Sequence, residues 1–400
     1  MTVDSARTGT VRYGSPELDA LIERIRDGAF ERERDGIAPH EQISWIKQSG
    51  LGALRVPAEE GGGGATTREL SEVIVRLSHA DSNIGHLLRA HFGTVEDLVA
   101  APDSPGRSRW IERIVGGGLF GNGNNELGAL HAGDFVKNTT FTPDGEGFRL
   151  NGTKYYSTGT LYADYSFVTG VTADGLPATA LIPVDRDGVE LLDDWDGFGQ
   201  RLTATGTTRL ANVRVEGDEI TLPPADLSTV PRWRLGPYYQ HHLNLVVAGN
   251  VHAVRDDAIA LIGGRRRSFT HGSADLPRED PVLQEVIGEI AALAFAAETT
   301  VLETADVLDR IGTGPDVDAD VHEASLRASQ AQVTVDSFGL RAADLLFEVG
   351  GASATRQPAN LDRHWRNIRT VASHNPVRFK NRAIGELLVN GTALPDNTYF

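Results

Sequence analysis

The stretch Leu361-Asp-Arg-His-Trp-Arg-Asn-Ile-Arg369, continued by Thr370-Val-Ala-Ser-His374-Asn375-Pro376, is basic and aromatic, yet it lies near the end of an acidic chain of 400 residues and net charge −17. Arg363, Arg366 and Arg369 recur at helical three-residue spacing and therefore share one face. That face suits either a phosphate or carboxylates of the fold such as Glu348 and Asp362. His374 and Asn375 follow directly. An amide has no lone pair of useful basicity near neutral pH and cannot take a proton from carbon. An imidazole can give or take one in that range.

Working outward, apolar residues recur at three- and four-residue spacing in Leu18, Leu21, Ile22 and Ile25, and again in Leu70, Val73, Ile74 and Leu77. This predicts a helical region over 1–117. Gly61 to Gly64 are not followed by Gly-Lys-Ser/Thr, so they read as a loop before a helix starting near Thr67 rather than as a phosphate loop. Over 118–225 the runs shorten and become β-rich, as in Tyr165-Ser-Phe-Val-Thr-Gly-Val and Ala178-Thr-Ala-Leu-Ile-Pro-Val. From 226 to 400 long helical patterns return, one beginning at Val282 and one spanning Glu323 to Gly350. Between these two, Ile311 to Asp320 reads as a solvated loop, because its aspartates lack the glycine and terminal glutamate of a calcium loop. The fold class is α+β, mostly α.

A strongly negative chain repels phosphate backbones and anionic lipids, which argues against nucleic-acid and membrane-surface partners. The absence of cysteine removes disulfides, thiolate nucleophiles, iron–sulfur clusters and cysteine-based zinc sites together. No window approaches 18 consecutive apolar residues, and the first ten residues do not read as a signal peptide, so a cytoplasmic protein is expected. No metal site is expected: His86 and His91 are five residues apart on different helix faces, and the adjacent His241 and His242 diverge.

Several spaced motifs together resemble the acyl-CoA dehydrogenase superfamily of flavoproteins. They are Gly50-Leu-Gly-Ala-Leu-Arg-Val-Pro57, Phe347-Glu-Val-Gly350-Gly351, the Asp362–Arg369 run, His374-Asn375-Pro376-Val377, Lys380 and Asn390-Gly391. The resemblance runs from about residue 15 to the end. The dehydrogenases of that superfamily carry a Glu-Gly pair where this chain has Asn375-Pro376, and that glutamate is their base. The sequence is most similar to the flavin-dependent monooxygenase branch. This implies an N-terminal helical domain (1–117), a central small β-barrel or sandwich domain (118–225) and a C-terminal four-helix bundle (226–400), assembled as a homotetramer. It also implies a two-component oxygenase. Reduced FMN or FAD would come from a separate NAD(P)H:flavin reductase, with dioxygen as co-substrate and a hydroperoxide at flavin C4a as oxidant. The substrate would be an apolar heteroaromatic or a sulfur- or nitrogen-containing small molecule. Two rivals stand: a dehydrogenase whose base has moved, to Glu289 or Glu298 for example, and a flavin-free binding scaffold.

The resemblance also nominates residues. His374, Ser157, Asn122 and His91 are the candidates for chemistry. Asn122, Ser157, Thr158, Gly350 and Gly351 would contact the flavin, with backbone amides near Ser157 and Thr158 as further donors. Arg265 and Arg267 from a neighbouring subunit, or Arg363, Arg366 and Arg369, would hold phosphate through their planar forks. Phe92, Trp233, Tyr238, Tyr239 and His242 would wall the substrate pocket. Some family members carry a second histidine three residues before His374, where this chain has Val371.

Overall fold

The computed structural model describes residues 9–127, 137–222, 234–313, 315–397 and 399–400, so Trp233 lies outside the described residues. Among these residues seven α-helices come first: α1 (Pro16–Arg26), α2 (Ala29–Asp35), α3 (His40–Ser49), α4 (Thr67–Ala80), α5 (Ser82–Leu87), α6 (Arg89–Ala100) and α7 (Pro105–Val115). Their starts are written in side-chain chemistry. Ser15 accepts from the Leu18 amide at 3.2 Å ahead of Pro16, whose missing N–H is no loss in a first turn. At α4, Thr66 and Glu69 cap each other's backbone reciprocally, which fixes the start at Thr67 after the glycine loop.

Among the described residues eight strands follow: β1 (Phe120–Gly123), β2 (Thr140–Asp144), β3 (Gly147–Lys154), β4 (Tyr165–Thr172), β5 (Pro177–Pro183), β6 (Val189–Leu192), β7 (Thr207–Val215) and β8 (Ile220–Thr221). They form one sheet in the order β6-β7-β3-β2-β4-β5-β8, with β1 added in parallel against β4. Alternate residues of these strands, Phe141, Leu150, Val168, Ala180, Ile182 and Val213 among them, form a separate small core.

The last helices are α8 (Leu235–Gly264), α9 (Pro281–Leu308), α10 (Val317–Gly350), α11 (Asp362–Ala372) and α12 (Val377–Asn390). α8 is buried continuously from Gln240 to Val251, as a helix surrounded by others must be, and it packs on α4, α9 and α10. Its core is continuous with that of the N-terminal helices, joining Leu18, Ile74, Val246, Ala294, Leu346 and Ile368.

The expected loop to Asp320 ends earlier. Asp316 accepts from the Ala319 amide at 3.0 Å, so α10 begins at Val317, and Asp318 and Asp320 sit in its first turn where the helix dipole favours them. Among the described residues, no helix is long and apolar enough to cross a membrane, and no group of three His, Cys, Asp or Glu is placed to hold a metal ion.

Candidate active site

Three segments distant in sequence converge. One is the junction of α5 and α6, from His86 to Arg89. It is set by Asp81, which ends α4 and caps α5 by accepting from the Asn83 amide at 3.0 Å while Arg32 meets its other oxygen at 3.0 Å. The second is the loop after β6. Gln200 and Ala204 are held there at positive φ (52° and 47°), and the loop is fastened from two sides. The Gln200 amide donates to Asn367 of α11 at 2.6 Å, and the Leu202 amide to Asn83 of α5 at 3.0 Å. The third is the turn between α11 and α12, which carries His374.

The polar contacts at this junction assign the histidine tautomers. Arg89 donates from Nη1 to His374 Nε2 at 3.1 Å, so that nitrogen carries a lone pair. His374 Nδ1 then donates to Asn375 Oδ1 at 3.0 Å, while the Asn375 side-chain nitrogen donates to Gln240 and the Asn375 backbone carbonyl accepts from Gln332 at 2.9 Å. His86 Nδ1 lies 3.2 Å from Gln200 Oε1, and Gln200 Nε2 donates to Ser82 at 2.7 Å. His86 is therefore also an Nδ1–H tautomer with a bare Nε2. Burial, reinforced by the charge of Arg89, pushes His374 down to about 3 and His86 down to about 4, so both are neutral at ordinary pH. His374 is thus a neutral imidazole whose N–H already serves Asn375.

His91 is elsewhere. Its Nε2 lies 2.8 Å from the Gly52 carbonyl and its Nδ1 accepts from the Phe120 amide at 3.2 Å, inside a fully buried setting. Both ring nitrogens serve the backbone, which makes it a strut between α6, the Leu51–Ala53 turn and β1, not a reagent. His86, five residues earlier, is the imidazole at the junction. A signal existed for it: His86 and Arg89 are three apart and so share a helical face.

The expected flavin segment sits beside this junction. Gly159, at φ 79°, brings its backbone so close to the Leu87 carbonyl that an added Cβ would lie 2.5 Å from it. Backbone amides there are already engaged: Ser157 to Gly206, Gly159 to Thr203, Thr160 to Ser157 and Thr158 to Tyr156. The expectation that these amides bond the flavin is not met, because two of them donate to carbonyls within the turn and two to the loop before β7. What stays reachable is the half-buried Thr158 hydroxyl, shared with Thr205 at 3.0 Å, and Asn122. Asn122 donates to the Tyr156 carbonyl at 3.1 Å and keeps Oδ1 without a partner among the described residues. Ser157 is buried and its oxygen accepts from Thr208 at 3.0 Å. Tyr156, at φ 55° and 50 % exposed, stands edge-on to Trp195 at 6.3 Å and forms an aromatic wall. Backbone strain collected at Tyr156, Gln200 and Ala204 is of the kind that functional sites retain.

The arginines divide. Arg363 pairs with Asp257, and Arg366 with Asp362 at 2.8 Å, so both are bound to carboxylates of the fold rather than presented to a phosphate. Arg369 is half-buried within the field of Asp336. Arg265 donates to the Val349 carbonyl at the end of α10 and lies near Gly351 and Phe269, while Arg267 is exposed. Gly350 is small for a packing reason, since a Cβ there would lie 2.3 Å from that of Ala354. Of the expected pocket wall, Tyr239 joins the junction, its ring 5.2 Å beneath the Arg89 guanidinium. Tyr238 donates to the Leu308 carbonyl at 3.3 Å, Phe92 lies in the main core, and His242 lies 2.8 Å from the Gly85 carbonyl.

Known proteins share this sequence pattern and fold. Residues 243–379 match the family described as acyl-CoA dehydrogenase, C-terminal domain. The chain is 30% identical over 384 residues to dibenzothiophene monooxygenase of Rhodococcus qingshengii, covering 93% of this chain and 92% of that one. It is 30% identical over 379 residues to a probable FMNH2-dependent monooxygenase, SfnC, of Pseudomonas putida, covering 92% and 93%. The structure of FMN-bound TdsC from Paenibacillus sp. A11-2 superposes with a TM-score of 0.89 at 26% identity, over 96% of this chain and 100% of that one. The amide at Asn375, the imidazoles beside it and these relatives lead to one conclusion: the chain belongs to the acyl-CoA dehydrogenase superfamily, in its flavin-dependent monooxygenase branch.

Proposed function

We propose that this protein oxygenates a sulfur-containing or heteroaromatic small molecule using reduced FMN and dioxygen, the FMN being reduced by a separate NAD(P)H:flavin reductase in the cytoplasm. The observation that carries this reading is Asn375. At the position of the dehydrogenase base stands an amide tied to His374 and Gln240, and among the described residues no carboxylate contacts His374 or Arg89. Both relocated-base candidates are engaged elsewhere, Glu289 with Arg341 at 2.8 Å and Glu298 with His252 at 3.1 Å. FMN is favoured over FAD because one solved relative holds it and a curated relative is described as FMNH2-dependent.

The residues present fit a flavin. Thr158 supplies a hydroxyl donor, Asn122 Oδ1 an acceptor, and Tyr156 with Trp195 an aromatic flank. Bound reduced FMN supplies two electrons to dioxygen, so that one oxygen atom enters the substrate and the other leaves as water. The chain's part is to orient and to shield. Gln200 fixes the His86 ring and leaves its Nε2 lone pair free to take a hydrogen bond from a hydroxyl. Asn375 fixes the His374 ring, and His374 in turn fixes Arg89. Phe198 and Trp365, stacked at 6.0 Å, close the loop over α11.

A homotetramer is part of the proposal. Phe295 of α9 and Leu388 and Val389 of α12 are 71 %, 72 % and 81 % exposed, large apolar residues that a subunit interface would cover; light scattering that reads a monomer would refute it. The functional test is turnover under ¹⁸O2 with NADH, FMN, an added flavin reductase and indole or dibenzothiophene. One labelled oxygen per product molecule is expected, and label-free product or none would reject the reading.

A further inference from the structure

Arg89 is a guanidinium without a carboxylate. Its Nε donates to the Tyr239 carbonyl at 3.0 Å and its Nη1 to His374 at 3.1 Å, and Nη2 meets no acceptor among the described residues. Other enclosed arginines of this protein are neutralised: Arg32 by Asp81, Arg55 by Glu96, Arg107 by Glu60 and Arg363 by Asp257. Arg89 is packed about by protein, yet part of its surface remains accessible, as in a group lining a recess.

Its surroundings supply no compensating anion among the described residues. Lys380, with 1% exposure, donates to the Tyr399 carbonyl beneath the Phe400 ring, and burial without a carboxylate partner among the described residues pushes it down to about 7. The Tyr399 ring lies 6.3 Å from that of His374, which places the Lys380 end of the recess against the same wall. His86 and His374 are neutral and supply no anion. An enclosed cation with no partner is unfavourable for folding. The group that would balance it is an anion, and a guanidinium meets planar oxyanions with directed hydrogen bonds.

We propose that Arg89, anchored by Tyr239 and His374 with Nη2 left open, binds a carboxylate or sulfinate group on the substrate, so that the enzyme selects acidic heteroaromatic or organosulfur compounds over their neutral counterparts. Arg89 is thus a specificity-determining residue. The inference rests on the oxygenase reading for what happens to the substrate, and on the recess alone for its charge.

Titration calorimetry of the full-length protein, with and without FMN, tests it with two matched pairs: indole-2-carboxylate against indole, and methanesulfinate against dimethyl sulfone. The acid of at least one pair binds about tenfold or more tighter than its neutral partner, the size of one hydrogen bond to a charged group. Which pair shows the larger ratio decides between carboxylate and sulfinate. Arg89→Met removes that preference and Arg89→Lys keeps most of it. Equal binding of acid and neutral partners by the wild-type protein overturns the proposal and needs no variant. So does an unchanged ratio in Arg89→Met, or a loss of reduced-FMN affinity in its place, which would assign the charge to the flavin. Because binding is read without turnover, an intact acid preference in a protein that fails to oxygenate would fault the oxygenase reading alone.

Discussion

Nε2 of His374 accepts from Arg89 while Nδ1 donates to Asn375, so the ring is neutral and both nitrogens are occupied within the fold. Its contribution is to hold Arg89 and to shape the recess. His374→Ala is expected to lower kcat by about a hundredfold, in the range lost when a proton-handling or orienting imidazole is removed, with little change in Tm. A parallel loss of Tm would make it a folding residue instead. His91→Ala should do the reverse, costing about 3 kcal/mol because the Gly52 carbonyl and Phe120 amide are stranded inside the fold. Urea denaturation measures this, and an unchanged midpoint would contradict the strut. In the sequence the two histidines are equally plausible reagents. What separates them is contact with Gly52 and Phe120, 39 and 29 residues away, and no local pattern carries that.

The β segment is pinned to its own beginning by a buried ion pair. Lys154 at the end of β3 is enclosed, its ammonium 2.5 Å from Glu126, and burial lowers it to about 8 despite that partner. Glu126 also accepts from the amides of Asn138 at 2.6 Å and Thr139 at 3.3 Å. Glu126→Gln leaves the lysine without its counter-charge and should destabilise by about 3 kcal/mol; thermal melts showing a shift below 1 °C would refute the assignment. The helices were legible because capping and periodicity agree, as at Thr66–Glu69 and along Leu18–Ile25. The start of α10 differs from the expected loop because three closely spaced aspartates read as loop until Asp316 is recognised as a cap. The backbone amides of Ser157 to Thr160 were misassigned because the turn that uses them depends on Thr203 and Gly206, which only the folded sheet brings near.

Six enclosed histidines give the molecule a common dependence on pH. Burial is the largest cause for each: His86, His91 and His364 fall to about 4, and His241, His242 and His374 to about 3. Below about 6.5 the unfolded chain takes up protons that the folded one refuses until about 4, so stability is fully present above 6.5 and lost as the pH falls through that window. Asp336, pushed up to about 7 by burial, works in the opposite sense over the same range as a single group. Tm should therefore fall steeply from pH 6.5 to 4, and a flat profile down to pH 5 would contradict it. The order of helices, strands and helices and the place of Asn375 were readable in the chain. The junction of His86, Arg89 and Gln200 was not, since it is made by α5, α6 and a β-domain loop meeting across the fold. The most direct measurement of the central claim is stopped-flow mixing of the protein and anaerobically reduced FMN with oxygenated buffer, following the flavin spectrum. The account predicts a long-lived absorbing species distinct from reduced and oxidised FMN, whose decay quickens when substrate is present; reoxidation at the rate of free flavin would contradict it.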